Sequence, residues 1–235
     1  MSVRRVLVAT RNAGKLHELG PLLADAGFEA LDLATAGIPE SAAEEELEAH
    51  DSFEANALAK ARYFAGLAGG LPVLADDSGL SVRALAGAPG VHSKRWSGRP
   101  ELSGRALDRA NNAKLLQALA GVADDRASYV CAAAWVDGAD ELVRTGEVHG
   151  RIVAEGRGVE GFGYDPYFWS DELRRTFGEC TREEKARVSH RARAVRALLE
   201  ARAALALGRA AMADGHAPPP GSTASSATGA RHGDG

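Results

Sequence analysis

The chain has 235 residues, and 28 lysines and arginines against 32 aspartates and glutamates leave a formal net charge of −4 with histidine neutral. That length suits one ordinary domain or two small ones, and 45% apolar with 26% charged residues is the composition of a globular protein. No apolar run approaches the ~18 residues that cross a bilayer, Val6–Ala9 is too short for a signal-peptide core, and the acidic balance disfavours nucleic-acid polymers. The expectation is therefore a cytoplasmic protein with no membrane and no nucleic-acid partner.

In chain order, Val3–Ala9 is a valine-rich run that predicts a buried strand. Residues 13–27 follow as a helix, with Leu16, Leu19, Leu22 and Leu23 at helical spacing and Gly27 as the stop. Residues 34–51, holding Gly37, Pro39 and the acidic run Glu44, Glu45, Glu46 and Glu48, read as loop. Ser52–Leu67 is a helix capped by Ser52. Pro72–Ala75 is a second buried strand ending at Asp76-Asp77-Ser78-Gly79, and 86–99 is a glycine- and proline-punctuated loop. Glu101–Leu119 is a third helix. Ser128–Val136 and Glu141–Val148 are strands joined at Asp137-Gly138, a hairpin signal. Gly156–Pro166 is glycine-rich loop, and Thr181–Leu207 is a last helix opened by a Thr181/Glu184 capping box. From about residue 208 a Pro, Ser, Gly, Ala and His composition reads as a disordered tail. The expectation is an α/β domain over 1–207, a mixed central sheet flanked by helices, with a tail over 208–235. Cys131 and Cys180 lie far apart without a CxxC and read as small buried hydrophobes.

Four constellations can carry chemistry. Thr10-Arg11-Asn12-Ala13-Gly14-Lys15, between strand and helix, is either an anion-binding helix start with a phosphate lysine or a plain turn with a helix-initiating Asn; it is neither a Walker A loop nor GxGxxG. Asp76 and Asp77 end a strand, and adjacent strand residues face opposite ways, so one of them can face a site. That one can hold Mg²⁺ or activate water; alternatively the triplet Asp77-Ser78-Gly79 is a strand-ending turn, or half of a dimeric aspartic hydrolase. Among the acidic residues before Ser52, one glutamate can supply a second carboxylate, and Lys60 is a surface lysine or a phosphate contact. Gly161-Phe162-Gly163-Tyr164-Asp165-Pro166 together with Glu184-Lys185 and Ser189-His190-Arg191 can stack and read a base, or else form core aromatics and a polar helix face. Only five basic residues are lysines, namely Lys15, Lys60, Lys94, Lys114 and Lys185, and three of them fall in these motifs. Lys94 has no role assigned and Lys114 reads as helix surface.

Together these motifs, with Phe53-Glu54-Ala55-Asn56-Ala57 and the Gly87–Gly98 segment, run in an order that resembles the inosine/xanthosine triphosphate pyrophosphatase family across residues 3–200. The resemblance implies the ITPase-like, Maf-like fold, hydrolysis of ITP, dITP and XTP to monophosphate and pyrophosphate with Mg²⁺, and a homodimer. It implies Thr10, Arg11, Asn12, Ala13, Gly14 and Lys15 as phosphate loop, with Lys60 beside it. It implies Asp77 as metal-binding proton acceptor and Ser78 at the substrate. Phe162, Gly163, Tyr164, Asp165, Lys185, His190 and Arg191 become the base pocket. Counting back from Phe53 gives Glu48 as the second metal ligand, with Glu46 and Glu40 as alternatives, because Glu48-Ala49-His50 lacks the family's glycine. The other readings left open are the dimeric aspartic hydrolase and a sensor that binds nucleotide without turnover.

Overall fold

The computed structural model describes residues 4–213. The chain divides into two units, Met1–Arg202 and Ala203–Gly235. Seven strands form one sheet in the order β2-β1-β3-β4-β5-β6-β7. The strands are β1 (Arg4–Val8), β2 (Phe28–Asp32), β3 (Val73–Val82), β4 (Arg126–Asp137), β5 (Asp140–Ile152), β6 (Phe168–Ser170) and β7 (Arg175–Thr176). β1 pairs in parallel with β2 and β3, and all later pairs are antiparallel, so the expected mixed sheet is present.

The helices are α1 (Ala13–Asp25), α2 (Phe53–Ala65), α3 (Gly104–Ala118), α4 (Arg182–Val188) and α5 (His190–Ala213). Strand alternation sorts the core onto two faces. Leu74 of β3 and Cys131, Ala133 and Trp135 of β4 pack with Leu19, Leu22 and Leu23 of α1 and Val195 and Leu198 of α5. The opposite residues, Val73, Ala75, Ala132, Ala134 and Val136, pack with Ala57, Ala61 and Phe64 of α2. Cys131 and Cys180 are both buried free thiols, as their spacing suggested.

Four expectations need correction. β3 does not end at Asp76: Asp76, Asp77, Ser78 and Gly79 pair in register with Ala133, Ala132, Cys131 and Val130 of β4, so the triplet is mid-strand rather than a turn. Gly79 fits there because a Cβ would lie 2.3 Å from the Gly90 carbonyl oxygen and 2.5 Å from Ser93 Oγ. β2, β6 and β7 were not anticipated; β2 is a short edge strand with exposed Glu29, and β6 and β7 are only three and two residues long. The last helix is two helices, broken at Ser189, whose extended backbone ends α4 and whose hydroxyl accepts from the Ala192 amide (3.2 Å) to start α5. α5 runs on through Ala213, so 208–213 are helix rather than tail; the rest of the expected tail lies outside the described residues.

Smaller differences follow local chemistry. Residues 42–48, read as loop, form a 3₁₀-helix (Ala42–Glu48) opened by a Ser41/Glu44 capping box. Another 3₁₀-helix, Gly90–Arg95, lies inside the expected 86–99 loop. The β4–β5 hairpin turns at Gly138-Ala139, one residue beyond the expected pair, because Asp137 is paired with Asp140. Among the described residues no helix is long and apolar enough to cross a membrane.

Candidate active site

The start of α1 builds the phosphate loop. Asn12 caps the helix, its side-chain oxygen accepting from the Lys15 amide at 3.2 Å, and the Thr10 hydroxyl accepts from the Asn12 amide at 3.2 Å. Thr10 through Lys15 line a cleft of about 1210 Å³, with Lys60, Lys94, Glu40 and Glu48 on its other walls. The first-turn amides and the positive end of the helix favour an anion there. Gly14 is required by close approach, since a Cβ would lie 2.7 Å from the Phe162 ring. Arg11 lines the same cleft, and its guanidinium is engaged by protein groups. Its guanidinium donates bidentately to Glu44 (2.7 and 3.1 Å) and to the carbonyls of Ile38 (3.0 Å) and Pro39 (2.8 Å), tying the loop to the acidic 3₁₀-helix.

β3 presents its two aspartates to opposite faces. Asp77 points toward α2, where Oδ2 accepts from the Asn56 amide nitrogen (2.9 Å) and Oδ1 from the Ser78 backbone (2.9 Å). Burial dominates its titration and pushes the carboxyl above its ordinary value, against the pull of Lys60 and Lys15. Lys60, read as surface or phosphate contact, is buried; its ammonium donates to the Asp76 carbonyl (3.0 Å) and to Glu48. Burial opposes ionisation of Glu48, but Lys60 and Lys15 outweigh it and hold the carboxyl down to about 2. Of the three candidate glutamates, Glu48 is therefore the one joined to Lys60 beside Asp77; Glu40 lines the cleft and Glu46 is exposed. Asn56 fixes this arrangement by also accepting from the His50 amide (2.9 Å) and donating to its carbonyl (3.3 Å). That holds the Glu48-Ala49-His50 path in place without the glycine.

The Asp77 and Glu48 oxygens are hard donors; Glu48 is paired with Lys60, and Asp77 lies in the field of the same ammonium without bonding to it. Mg²⁺ takes one or two carboxylates and fills its remaining positions with water and phosphate oxygens. The residues present thus fit Mg²⁺, although no group of three or more His, Cys, Asp or Glu forms a ready-made cage among the described residues.

Asp76 points to the other face, fully buried. Its Oδ2 meets Lys15 Nζ (3.0 Å) and accepts from Arg191 Nε (3.0 Å). Burial alone would raise its pKa, but Lys15, Arg191 and Lys60 overcome it and hold the carboxyl far below the usual range. Arg191 also donates to Ser78 Oγ (2.7 Å) and to Glu18. Lys185 contacts Glu18 (2.8 Å) and donates to Asp165 (2.6 Å), with its ammonium 5.0 Å from the Phe162 ring centre. Lys185 and Arg191 are therefore buried ions rather than a polar helix face.

Asp165 Oδ2 accepts from the Phe162 amide (2.9 Å), and Tyr164 donates its hydroxyl to the Ser93 carbonyl (2.8 Å). His190 does not join the polar cluster: it is buried and stacked on Tyr129 (4.6 Å, 7°), and burial with nearby Arg191 keeps it neutral. Lys114, read as plain surface, donates to the Trp96 carbonyl (2.6 Å) and lies 4.4 Å over its ring.

Sequence reasoning missed Glu18 and the partner role of Asp76. Glu18 lies three residues after Lys15 on α1, a spacing that puts both on one helix face, and that signal was available. Asn56 stood in the quoted motif without a role.

A model of the Ham1 family matches residues 6–201. The dITP/XTP pyrophosphatase of Ralstonia nicotianae is 44% identical over 201 residues, covering 84% of this chain and 96% of that protein. That of Aromatoleum aromaticum is 46% identical, covering 83% and 94%. The solved structure of a HAM1 protein from Coxiella burnetii superposes with a TM-score of 0.71 at 34% identity, covering 84% of this chain and 98% of that one. By match length and identity together, the chain belongs to the Ham1 family.

Proposed function

We propose that this chain is a nucleoside-triphosphate pyrophosphatase that cleaves dITP, XTP and ITP to the nucleoside monophosphate and pyrophosphate. The observation that carries this reading is that Lys15, Lys60 and Glu48 share one cleft with the phosphate loop, with Asp77 in the field of both lysines and Phe162 laid on Gly14. The relatives' name, dITP/XTP pyrophosphatase, supports the substrate class.

A triphosphate brings three to four negative charges. Lys15, Lys60 and the loop amides offset them locally despite the net charge of −4. Asp77, in its carboxylate form, accepts a proton from the attacking water. The water oxygen bonds to the α-phosphorus while the bond to the α–β bridging oxygen breaks, and that electron pair leaves with pyrophosphate. Asp77 and Glu48 would hold Mg²⁺, which when bound would supply positive charge against the charge building on the phosphate oxygens.

On the other face, Arg191 and Lys185 present donors to the base. Three of five guanidinium hydrogens and two of three ammonium hydrogens are committed to the contacts above, leaving donors for an O6 acceptor. Adenine offers an amino group there, and a buried unpaired donor costs ~1–3 kcal/mol, roughly 5- to 150-fold. We further propose a cytoplasmic homodimer.

The test is turnover of dITP, XTP, ITP and the four common dNTPs with Mg²⁺, following pyrophosphate. The inosine and xanthosine nucleotides should be preferred, and EDTA should stop the reaction. Orthophosphate as first product overturns the cleavage position, equal turnover of dATP and dITP overturns the base reading, and activity in EDTA overturns the metal.

A further inference from the structure

α3 carries two consecutive buried asparagines, Asn111 and Asn112, 4% and 5% exposed. Asparagine is a poor residue for a helix interior, where its side chain competes with backbone hydrogen bonds, so a buried pair needs partners elsewhere. The partners lie on two different walls. Asn111 accepts from the Ser97 amide (2.7 Å) and donates to the Lys94 carbonyl (3.0 Å), holding the segment around the 3₁₀-helix Gly90–Arg95. Asn112 donates to the Gly163 carbonyl (2.9 Å) and to the Asp108 carbonyl one turn back (2.9 Å). Asp108 Oδ2 accepts from the Gly163 amide (3.0 Å). The N–H and the C=O of Gly163 are thus both held by α3, four residues apart on one helix face.

Gly163 has φ +64, and glycine is the residue with the widest backbone freedom, so without a clasp this is the point at which the loop turns most readily. It lies between Phe162, whose ring rests on Gly14 beside Lys185 and Arg191, and Tyr164, which is anchored on Ser93. Rotation at Gly163 would move the Phe162 ring against the two cations. A displacement near 1 Å is enough to spoil a recognition geometry.

We propose that Asp108 and Asn112 are positioning residues for base discrimination: by clasping both ends of Gly163 they fix Phe162, and with it the height at which Lys185 and Arg191 meet the base edge. This rests on reading Gly161–Asp165 as base pocket. The hydrogen bonds of both side chains go to Gly163 and to α3 itself, so the clasp acts on which base is accepted more than on how the triphosphate is held.

The experiment compares kcat/KM for XTP and dATP, with Tm, in wild type and four variants. Asp108→Ala and Asn112→Ala should narrow the XTP/dATP ratio about fivefold, the worth of one lost hydrogen bond. Asp108→Asn, whose amide oxygen still accepts, should keep the ratio. Asn111→Ala removes an equally buried asparagine from the neighbouring wall, so it should lower Tm comparably and leave the ratio unchanged. Asp108 is only half-buried, so its two variants carry the test if Asn112→Ala does not fold. An unchanged ratio in Asp108→Ala, or equal narrowing in Asn111→Ala, overturns the proposal while leaving the base pocket standing. A wild type with no XTP preference instead overturns the base-pocket reading, and the clasp with it.

Discussion

Asp76 and Asp77 are consecutive in one strand, yet they occupy opposite electrostatic regimes. Asp76 is enclosed by Lys15 and Arg191, which hold it ionised far below the ordinary range. Asp77 is nearly as buried but has only a neutral amide and a backbone N–H as direct partners, and burial pushes it up. The difference is one step of strand alternation. It puts a charge that organises cations on one face and a carboxylate able to take a proton on the other. A site that must grip a polyanion and also activate water obtains both from a single dipeptide.

The sharpest way to break this comparison is to neutralise each aspartate in turn. Asp77→Asn should cut kcat by about 10²–10⁴-fold, the usual worth of a general base. Its folded-state pKa is raised, so its ionisation costs stability as pH rises through that value, and the variant should melt no lower than wild type at neutral pH. Asp76→Asn should do the reverse in stability. Leaving Lys15 and Arg191 without their buried counter-charge costs about 3–5 kcal/mol, read as a lower urea midpoint. If both variants destabilise alike, the two faces are not distinct.

Acid sharpens the Asp76 side. Lys185 and Arg191 outweigh burial and lower Glu18 from its ordinary 4.5 to about 2. Its stabilising contribution, on the order of 3 kcal/mol, is complete above pH 4.5 and is lost as pH falls toward 2. Glu18→Gln should flatten that window in thermal melts taken from pH 5 to pH 2, and an unchanged acid limb would remove Glu18 from the network. A smaller effect is expected at Lys15, whose compact ammonium contacts both the Asp76 carboxylate and its carbonyl oxygen (3.3 Å). Lys15→Arg keeps the charge but not that fit, and should raise KM about tenfold for XTP with little change in Tm.

Much of this was legible in the sequence because it is local. The Asn12 cap, the Thr181/Glu184 box and the strand-to-helix order are set within a few residues of one another. The opposite facing of Asp76 and Asp77 follows from strand periodicity alone. What escaped is set at long range. The Asp-Ser-Gly triplet reads as a turn until Lys15, Asn56 and Arg191, brought from α1, α2 and α5, supply the partners that let β3 continue through it. Arg11 reads as part of the phosphate loop, and its partner Glu44 comes from a segment 33 residues away. His190 stands beside Arg191 in sequence, but the helix start at Ser189 turns it onto Tyr129.

The most direct test of the central claim is to run dITP hydrolysis in water labelled with heavy oxygen and weigh the products. Attack at the α-phosphorus by a water serving Asp77 predicts that the label appears in the nucleoside monophosphate, with unlabelled pyrophosphate released. Label in the pyrophosphate would place the attack at the β-phosphorus and contradict the account.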